Sequence, residues 1–582
     1  MPSVEKEERA RHFLELFRDA EDAFGQEIEQ MLIDDTFYHG DQWSSEDEAA
    51  LDEVGAPHLT FNITKPKGRF VNGYMQTNRF DITAFTASGG TDEISTVYTK
   101  ALKSQLYSQH YEAAMNAVLT DAIVRSRGWM YCLPSYHDDL TPTITFERLN
   151  PLSVFPDPKY ESLTLNDADR VHIVTLKTLD EIKDEFGVSE DELRSLVQLV
   201  YSDEGRKYRL HERAFKENDI RGYTAKGATP VLPSQGGRDW EIKVIDTWYR
   251  SRADYWVVLL PDGRTQIVWD ENEMNMLLST GAVTDYLERT KDIVSQIIHV
   301  GNLVLHESIN PFHDDIFPVI PLPFSFDSGR SYSLVRDMRD PQNWINKMIS
   351  KFAHAVNVSP HAGLIYEEDS LVDPELIQNK GSIPGIHVVY KYNRPQPQPY
   401  PPSGPQTALA QIIGQLDEII DKISGITVSM MGFAANADES GKAAALRQSS
   451  GQTMLWEFIE NTRIFRHQLG RLMISYFREF YTPEDLFRVT GDQNALTVPP
   501  LDLSHGEYKI VIDERPSGPT NEIIEFTSLA DLVHQGMEIS PLTLLKKAPI
   551  HDKQEAIEDF MQWTGFKQYL EQQQQQQQQQ PA

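Results

Sequence analysis

Residues 331–357 read SYSLVRDMRDPQNWINKMISKFAHAVN, and the rest of the chain is parsed around them. Met338, Ile345, Met348, Ile349, Phe352 and Val356 recur on one broad side, the spacing of an amphipathic helix. A second such run, Gln406–Ser424, places Leu409, Ile412, Ile413, Leu416, Ile419, Ile420 and Ile423 three and four residues apart. Between them lies a Pro-rich insertion, 358–405. Its end, Asn393–Gly404 (NRPQPQPYPPSG), favours extended or polyproline backbone, and His387–Tyr392 reads as a strand. A longer helical pattern over Gly441–Tyr481 follows, with Leu455, Phe458, Phe465, Leu469, Leu472, Tyr476 and Phe477 on its apolar side. Unbroken, it would span about 60 Å. Residues 426–439 (ITVSMMGFAANADE) are rich in small and apolar residues, have few charges, and read as a flexible loop between helices.

Working outward, residues 5–35 read as a helix striped by Phe13, Leu14, Phe17, Ala20, Phe24, Ile28, Met31 and Leu32, closed by Gly40–Trp43 (GDQW). Asn62–Thr77 predicts a short helix with Pro66 in its first turn. Asp92–Arg127 predicts one long helix stopped by Gly128. Strands are expected at Trp129–Leu133, Thr143–Leu149, Val171–Lys177, Glu241–Arg250 and Trp256–Leu260, the last leading through a turn to Thr265–Trp269. Ile297–Glu307 reads as a further hairpin, and 212–237 as an exposed loop. Asp340-Pro341 lies inside the first helical run: either Asp340 caps a new helix there, or the helix bends. Glu484–Leu503 reads as loop, Tyr508–Ile512 as strand, and Asn521–Val533 and 541–569 as helical. Nine glutamines, 572–580, form a low-complexity tail.

Composition narrows the function classes. With 54 Lys and Arg against 87 Asp and Glu, the formal charge of the 582-residue chain is −33. Such a surface does not grip nucleic acid through many phosphate contacts, although acidic walls would let DNA slide. The length predicts several domains. The single cysteine, Cys132, excludes a disulfide framework within the chain and is expected to be a small buried apolar residue. The N-terminus has no apolar signal segment, and no run is long and apolar enough to span a membrane, so a soluble, reducing compartment is expected. No phosphate-binding loop, metalloprotease or serine-hydrolase motif occurs. His137-Asp138-Asp139 and His313-Asp314-Asp315 read as solvated loops. The expectation is a non-enzyme without cofactor or metal.

The run Phe324–Phe352, FSFDSGRSYSLVRDMRDPQNWINKMISKF, resembles the first stem helix of tailed-phage portal proteins, most closely the P22-like portals of short-tailed phages. Ser440–Gly451 (SGKAAALRQSSG) resembles the start of the helix after the portal tunnel loop. GDQW at 40–43 and VIDERPSGPT at 511–520 agree in order and spacing. The resemblance implies an α+β, multidomain portal fold: a mixed-sheet wing over 1–330, a first stem helix at 331–357, a clip at 358–405 and a second stem helix at 406–425. A tunnel loop at 426–440, a long wing helix at 441–483, a C-terminal wing and short helical crown at 484–571, and a disordered tail at 572–582 complete it. No C-terminal helical barrel is expected.

The same resemblance implies a subunit of a ring of twelve at one capsid vertex, in the virion after assembly in the host cytoplasm. The ring is the channel for packaging and ejecting double-stranded DNA, without sequence specificity. It implies as partners the major capsid protein, scaffolding protein, terminase large subunit and head-to-tail adaptor proteins, and no membrane. Met430, Met431 and Phe433 fall in the tunnel loop. Arg336, Arg339, Lys347 and Lys351 line or brace the tunnel, and Tyr392, Arg394 and Tyr400 face clip partners. The alternative is another head–tail adaptor or tail protein, which would lack the order stem, clip, stem, tunnel loop.

Overall fold

The computed structural model describes most of residues 2–497, together with 507–516, 540–548 and scattered residues between 526 and 563; the longest internal stretches outside the described residues are 193–240 and 432–454. The chain opens with α1 (Pro2–His39), whose Phe13, Leu14, Phe17, Ala20 and Met31 are buried, the stripe continuing into Phe37 and Tyr38. After α2 (Ser45–Glu53), an extended segment leads to α3 (Thr64–Thr77), with Pro66 in its first turn. Strand β1 (Phe80–Ser88) precedes α4 (Asp92–Leu106) and α5 (Gln109–Arg125). One helix was expected over 92–127. A straight helix of that length would be about 50 Å long. It could not place Val97, Tyr98 and Leu102 in the cluster that also holds Met115, Val118 and Ile123. The chain breaks at exposed Tyr107 instead and returns. Gly128 is not the helix stop: Ser126, at φ 69°, ends α5, and Gly128 lies within the next strand.

That strand, β2 (Arg127–Tyr136), pairs with β3 (Pro142–Leu149) and with β10 (Val319–Pro323) in a three-stranded antiparallel sheet. Cys132 is fully buried there, and burial pushes its thiol far up. Residues 150–158 pack into the core as a short turn and β4 (Val154–Pro156), all three strand residues buried. A second sheet runs β4, β5 (Arg170–Thr178), β6 (Glu241–Leu259), β8 (Asp285–Val300), β9 (Leu303–Ser308), with β7 (Thr265–Val268) on β6. Helix α6 (Leu179–Phe186) follows β5 with a Thr178/Glu181 capping box and Gly187 in the left-handed conformation.

The two strands expected over 241–260 are one. Ser251–Asp254 breaks the apolar alternation, but polar pairs across to β8 carry the ladder: Arg252 with Asp292 at 3.3 Å and Thr290 with Asp254 at 3.0 Å. Helix α7 (Glu271–Ser279), unforeseen, caps the far end of this arm, where Val258, Val268 and Met274 form a small core.

Strands β11 (Ser325–Asp327) and β12 (Arg330–Tyr332) lead into α8 (Leu334–Val358), a continuous helix with Pro341 inside it. Ser333, not Asp340, starts it, its Oγ accepting from Arg336 N at 3.0 Å. The insertion holds β13 (Leu364–Ile365), α9 (Pro374–Lys380) and β14 (Gln398–Pro399). The strand expected at 387–392 reduces, among the described residues, to one bridge, Tyr390 to Leu371. After α10 (Gln406–Ser424), residues 432–454 lie outside the described residues. Helix α11 begins at Trp456, after Leu455 at φ −94° and ψ 3°, and runs to Phe480; the first part of the helix expected from 441 lies outside the described residues.

Glu484–Leu503, read as loop, contains α12 (Pro483–Thr490), started by a Thr482/Asp485 capping box with Pro at the first position. Asp at the third position did the work the Glu/Gln signature normally announces. Finally β15 (Glu507–Pro516) pairs with β1 and extends beyond the strand expected at 508–512 at both ends. Most of 521–569 and all of 564–582 lie outside the described residues. The largest core joins α3, α4, α5, the three-stranded sheet, the start of α8 and the buried face of α11.

Candidate functional site

The helices α8 and α10 pack side by side, joined by the insertion. Two contacts set their direction. Gln342, near the start of α8, accepts from Ile63 N at 3.0 Å, and Lys67, four residues on, reaches Asp421 near the end of α10 at 2.6 Å. The start of one helix and the end of the other therefore share a neighbour, and the pair is an antiparallel hairpin with 358–405 at its tip.

Lys67 seats the base of that hairpin. Its side chain is 3% exposed, and Nζ donates to Asp421 Oδ1 at 2.6 Å and to the carbonyl of Ile426 at 2.5 Å. A cation just past the last turn of α10 complements the helix dipole, and it also satisfies the carbonyl of Ile426 in the segment after the helix. Gly425 sits at φ 67°, and Ser424 Oγ donates to Ile420 O at 2.7 Å and accepts from Ile426 N at 3.2 Å. The segment that follows thus leaves from a fixed root. Met430 N donates to Thr427 O at 3.0 Å in a turn, and Met431 packs partly buried against the main core. Phe433 lies outside the described residues.

A second seat was not foreseen. Gln342, Asn346 and Ser350, all fully buried, stand four residues apart on α8. They accept in turn from the backbone N–H of Ile63 (3.0 Å), Phe61 (3.0 Å) and Leu59 (3.1 Å). Gln342 Nε2 also donates to Phe61 O at 2.6 Å, and Asn346 Nδ2 to Gln42 Oε1 at 2.7 Å. The match is geometric: four helical residues rise about 6 Å, and two extended residues about 6.7 Å. The face of α8 thereby acts as a strand partner for 59–63. The signal was in the sequence as polar residues at spacing four, Gln342, Asn346 and Ser350, on an amphipathic helix. In GDQW it is Gln42, not Trp43, that is buried; Trp43 stays half-exposed, its Nε1 donating to Thr60 Oγ1 at 3.0 Å.

The basic residues of α8 mostly turn toward the N-terminal helices. Arg336 and Arg339 both meet the fully buried carboxylate of Asp34, at 3.1 and 3.3 Å, and Ser333 Oγ donates to it at 2.9 Å. Burial pushes that carboxyl above the ordinary aspartate range, and the two arginines pull it only part of the way back. Arg339 also donates to Gln30 at 2.7 Å, and Lys347 pairs with Asp47 at 2.8 Å. Lys351 is exposed. Three of the four therefore fasten α8 to α1 and α2. On α11, Arg463 pairs with Glu460 at 2.6 Å and Arg471 with Asp315 at 3.3 Å.

At the hairpin tip, Ser370 and Leu371 alone are buried among the insertion residues whose side chains are described. Tyr392 is 97% exposed, and Val389, Val372 and Ile365 are more than half exposed. Arg394 approaches Glu367 at 3.6 Å, while Tyr400 lies outside the described residues. An extension with so little core presents most of its surface outward. Among the described residues no group of three or more His, Cys, Asp or Glu could hold a metal, and no helix is long and apolar enough to cross a membrane.

Lys67→Met is the direct probe of the hairpin root. It leaves a partly exposed Asp421 and the Ile426 carbonyl without their donor, a loss of about 2 kcal/mol. The thermal midpoint should fall, and limited proteolysis should cut sooner just after residue 426. Unchanged cutting would show that Lys67 does not fix the root.

Two comparisons bear on this arrangement. The family model described as "Phage P22-like portal protein" matches residues 14–582. The portal protein of Helicobacter pylori bacteriophage KHP30 is 24% identical over 183 residues, which cover 31% of this chain and 30% of that protein's length.

Proposed function

Because this chain belongs to the P22-like phage portal family, we propose that it is the subunit of a closed ring, twelve by the family resemblance, through which double-stranded DNA enters and leaves a capsid. The observation that carries the reading is the antiparallel hairpin α8–α10, rooted on Lys67 and tipped by a nearly coreless insertion. In this reading the hairpin is the stem, 358–405 the clip, and 426–440 the tunnel loop. The exposed Tyr392 surface meets the packaging motor, the terminase large subunit, and then the head-to-tail adaptors. The sheets and N-terminal helices form the wing, seated among the major capsid protein and, during assembly in the host cytoplasm, scaffolding protein. The match across residues 14–582 favours this over a tail adaptor, which need not carry the same order of segments.

The face of α10 that α8 does not cover supports a ring. Ile412, Ile419 and Ile423 are 41%, 41% and 42% exposed, seven and four residues apart, hence on one side. An apolar stripe on a chain this acidic is covered by a neighbour, and head-to-tail contacts repeated around an axis close a ring. The double variant Ile412→Glu/Ile419→Glu should keep the thermal midpoint of the monomer and lose higher oligomers in native mass spectrometry. Rings formed as in the wild type would remove the stripe from the interface.

A further inference from the structure

A groove of about 490 Å³ opens where the end of α1 meets α3 and α5, and none of the residues lining it is acidic, in a chain of net charge −33. Lys65 and Arg69 stand one turn apart on its α3 wall. Lys65 Nζ lies 5.9 Å over the ring of Tyr38, and exposed Arg69 acts on the same phenol, opposing the upward push that burial gives it. The carboxylates close by are engaged elsewhere: Asp35 holds Arg125 at 2.8 Å, and Asp421 is taken by Lys67, between the two cations in sequence but on the opposite side of the helix. His39 closes one end, 3.7 Å from Asp35.

Further along the groove, amide side chains of α3 bridge to the facing α5 wall. Asn72 Nδ2 donates to Asn116 Oδ1 and to Thr120 Oγ1, both at 2.9 Å, and Gln76 Nε2 donates to Asn116 Oδ1 at 2.5 Å. This network holds α3 and α5 at a fixed separation. Gly68 keeps the floor low, because a Cβ there would fall 2.8 Å from the Tyr38 ring. Uncompensated cations one turn apart, beside neutral hydrogen-bonding groups, suit an oxyanion that Arg69 can engage through two N–H groups.

We propose that the α3–α5 groove binds a phosphate group, carried either by a DNA backbone or by a small phosphorylated molecule. The proposal is independent of ring assembly and is tested on the monomeric full-length chain. Inorganic phosphate and a short random-sequence duplex are titrated separately by calorimetry at low salt. The wild type is expected to bind at least one probe, and Lys65→Gln/Arg69→Gln to bind it about tenfold more weakly. Asn116→Asp keeps the acceptors that Asn72 and Gln76 use but adds a negative charge to the wall, and is expected to weaken binding likewise. Arg252→Gln, at an 82% exposed side chain on the distant β6 arm, should change nothing. Binding of phosphate points to a small anion, and binding of the duplex alone to the DNA backbone. The proposal is overturned if neither probe binds, if both groove variants bind as the wild type does, or if Arg252→Gln loses as much as they do.

Discussion

Among the described glycines, Gly128→Ala is expected to be the most damaging added methyl. A Cβ at 128 would lie 2.1 Å from the carbonyl oxygen of Val118 and 2.8 Å from Val118 Cγ1. The nearest atom is helix backbone and cannot swing aside. To accept the methyl, α5 and β2 must part by more than 1 Å, a distance set by ordinary van der Waals contact. Both elements are locked from behind: Val118, Leu119, Ala122 and Ile123 are buried on α5, and β2 lies between β3 and β10. The loss should reach about 4 kcal/mol, beyond common overpacking. The check is chemical denaturation beside Gly25→Ala. Gly25 is exposed on α1 with nothing within 4 Å of its added Cβ, and alanine there should stabilise by up to about 1 kcal/mol. If the two variants behave alike, the close approach of α5 and β2 is wrong.

The second large effect is expected from Arg127→Met. Arg127 is 3% exposed, and its guanidinium joins four parts of the chain. It donates to Glu27 Oε1 on α1 at 2.5 Å, to Tyr160 OH at 2.8 Å and to Ser331 Oγ, just before α8, at 3.0 Å. It also lies over the rings of Phe24, Trp129 and Tyr160 at 5.4 to 5.9 Å. Removing the cation leaves the largely buried Glu27 carboxylate with Ser331 as its remaining hydrogen-bond donor in this cluster, and breaking such a pair costs about 3–5 kcal/mol. Replacing both partners with apolar groups removes the stranded charge. Arg127→Met/Glu27→Leu should therefore recover more than half of the lost thermal midpoint. A double variant as unstable as the single one would locate the loss in the aromatic stacking instead.

Both sites explain what could be read from residues alone. The stripes of α1 and α11 and the strands around Cys132 were legible, because each follows from local periodicity. Gly128 was read as a helix stop for the same reason: locally, a glycine after an apolar helical run signals termination. Its true role, admitting a helix carbonyl against a strand, depends on a contact ten residues back in the chain that no local window contains. Glu241–Leu259 was divided because its polar middle is held by a partner forty residues away. The basic residues of α8 could be recognised as a group, but not that Arg336 and Arg339 would share Asp34 across some 300 residues. The Gln342–Asn346–Ser350 stripe was visible and passed over, since polar residues on a helix usually face water; only the extended 59–63 segment gives them a purpose.

In the proposed ring, the α8–α10 hairpins of many copies stand around one axis. The most direct measurement is electron microscopy of the purified protein at assembling concentration, averaged down the particle axis. The account predicts a closed ring, twelvefold by the family resemblance, with an open centre wide enough for a DNA duplex, about 20 Å across by the groove dimensions of B-form helices, and with density for 358–405 projecting at one rim. A closed particle with no central opening, or compact monomers that resist assembly while Ile412→Glu/Ile419→Glu behaves identically, would contradict it.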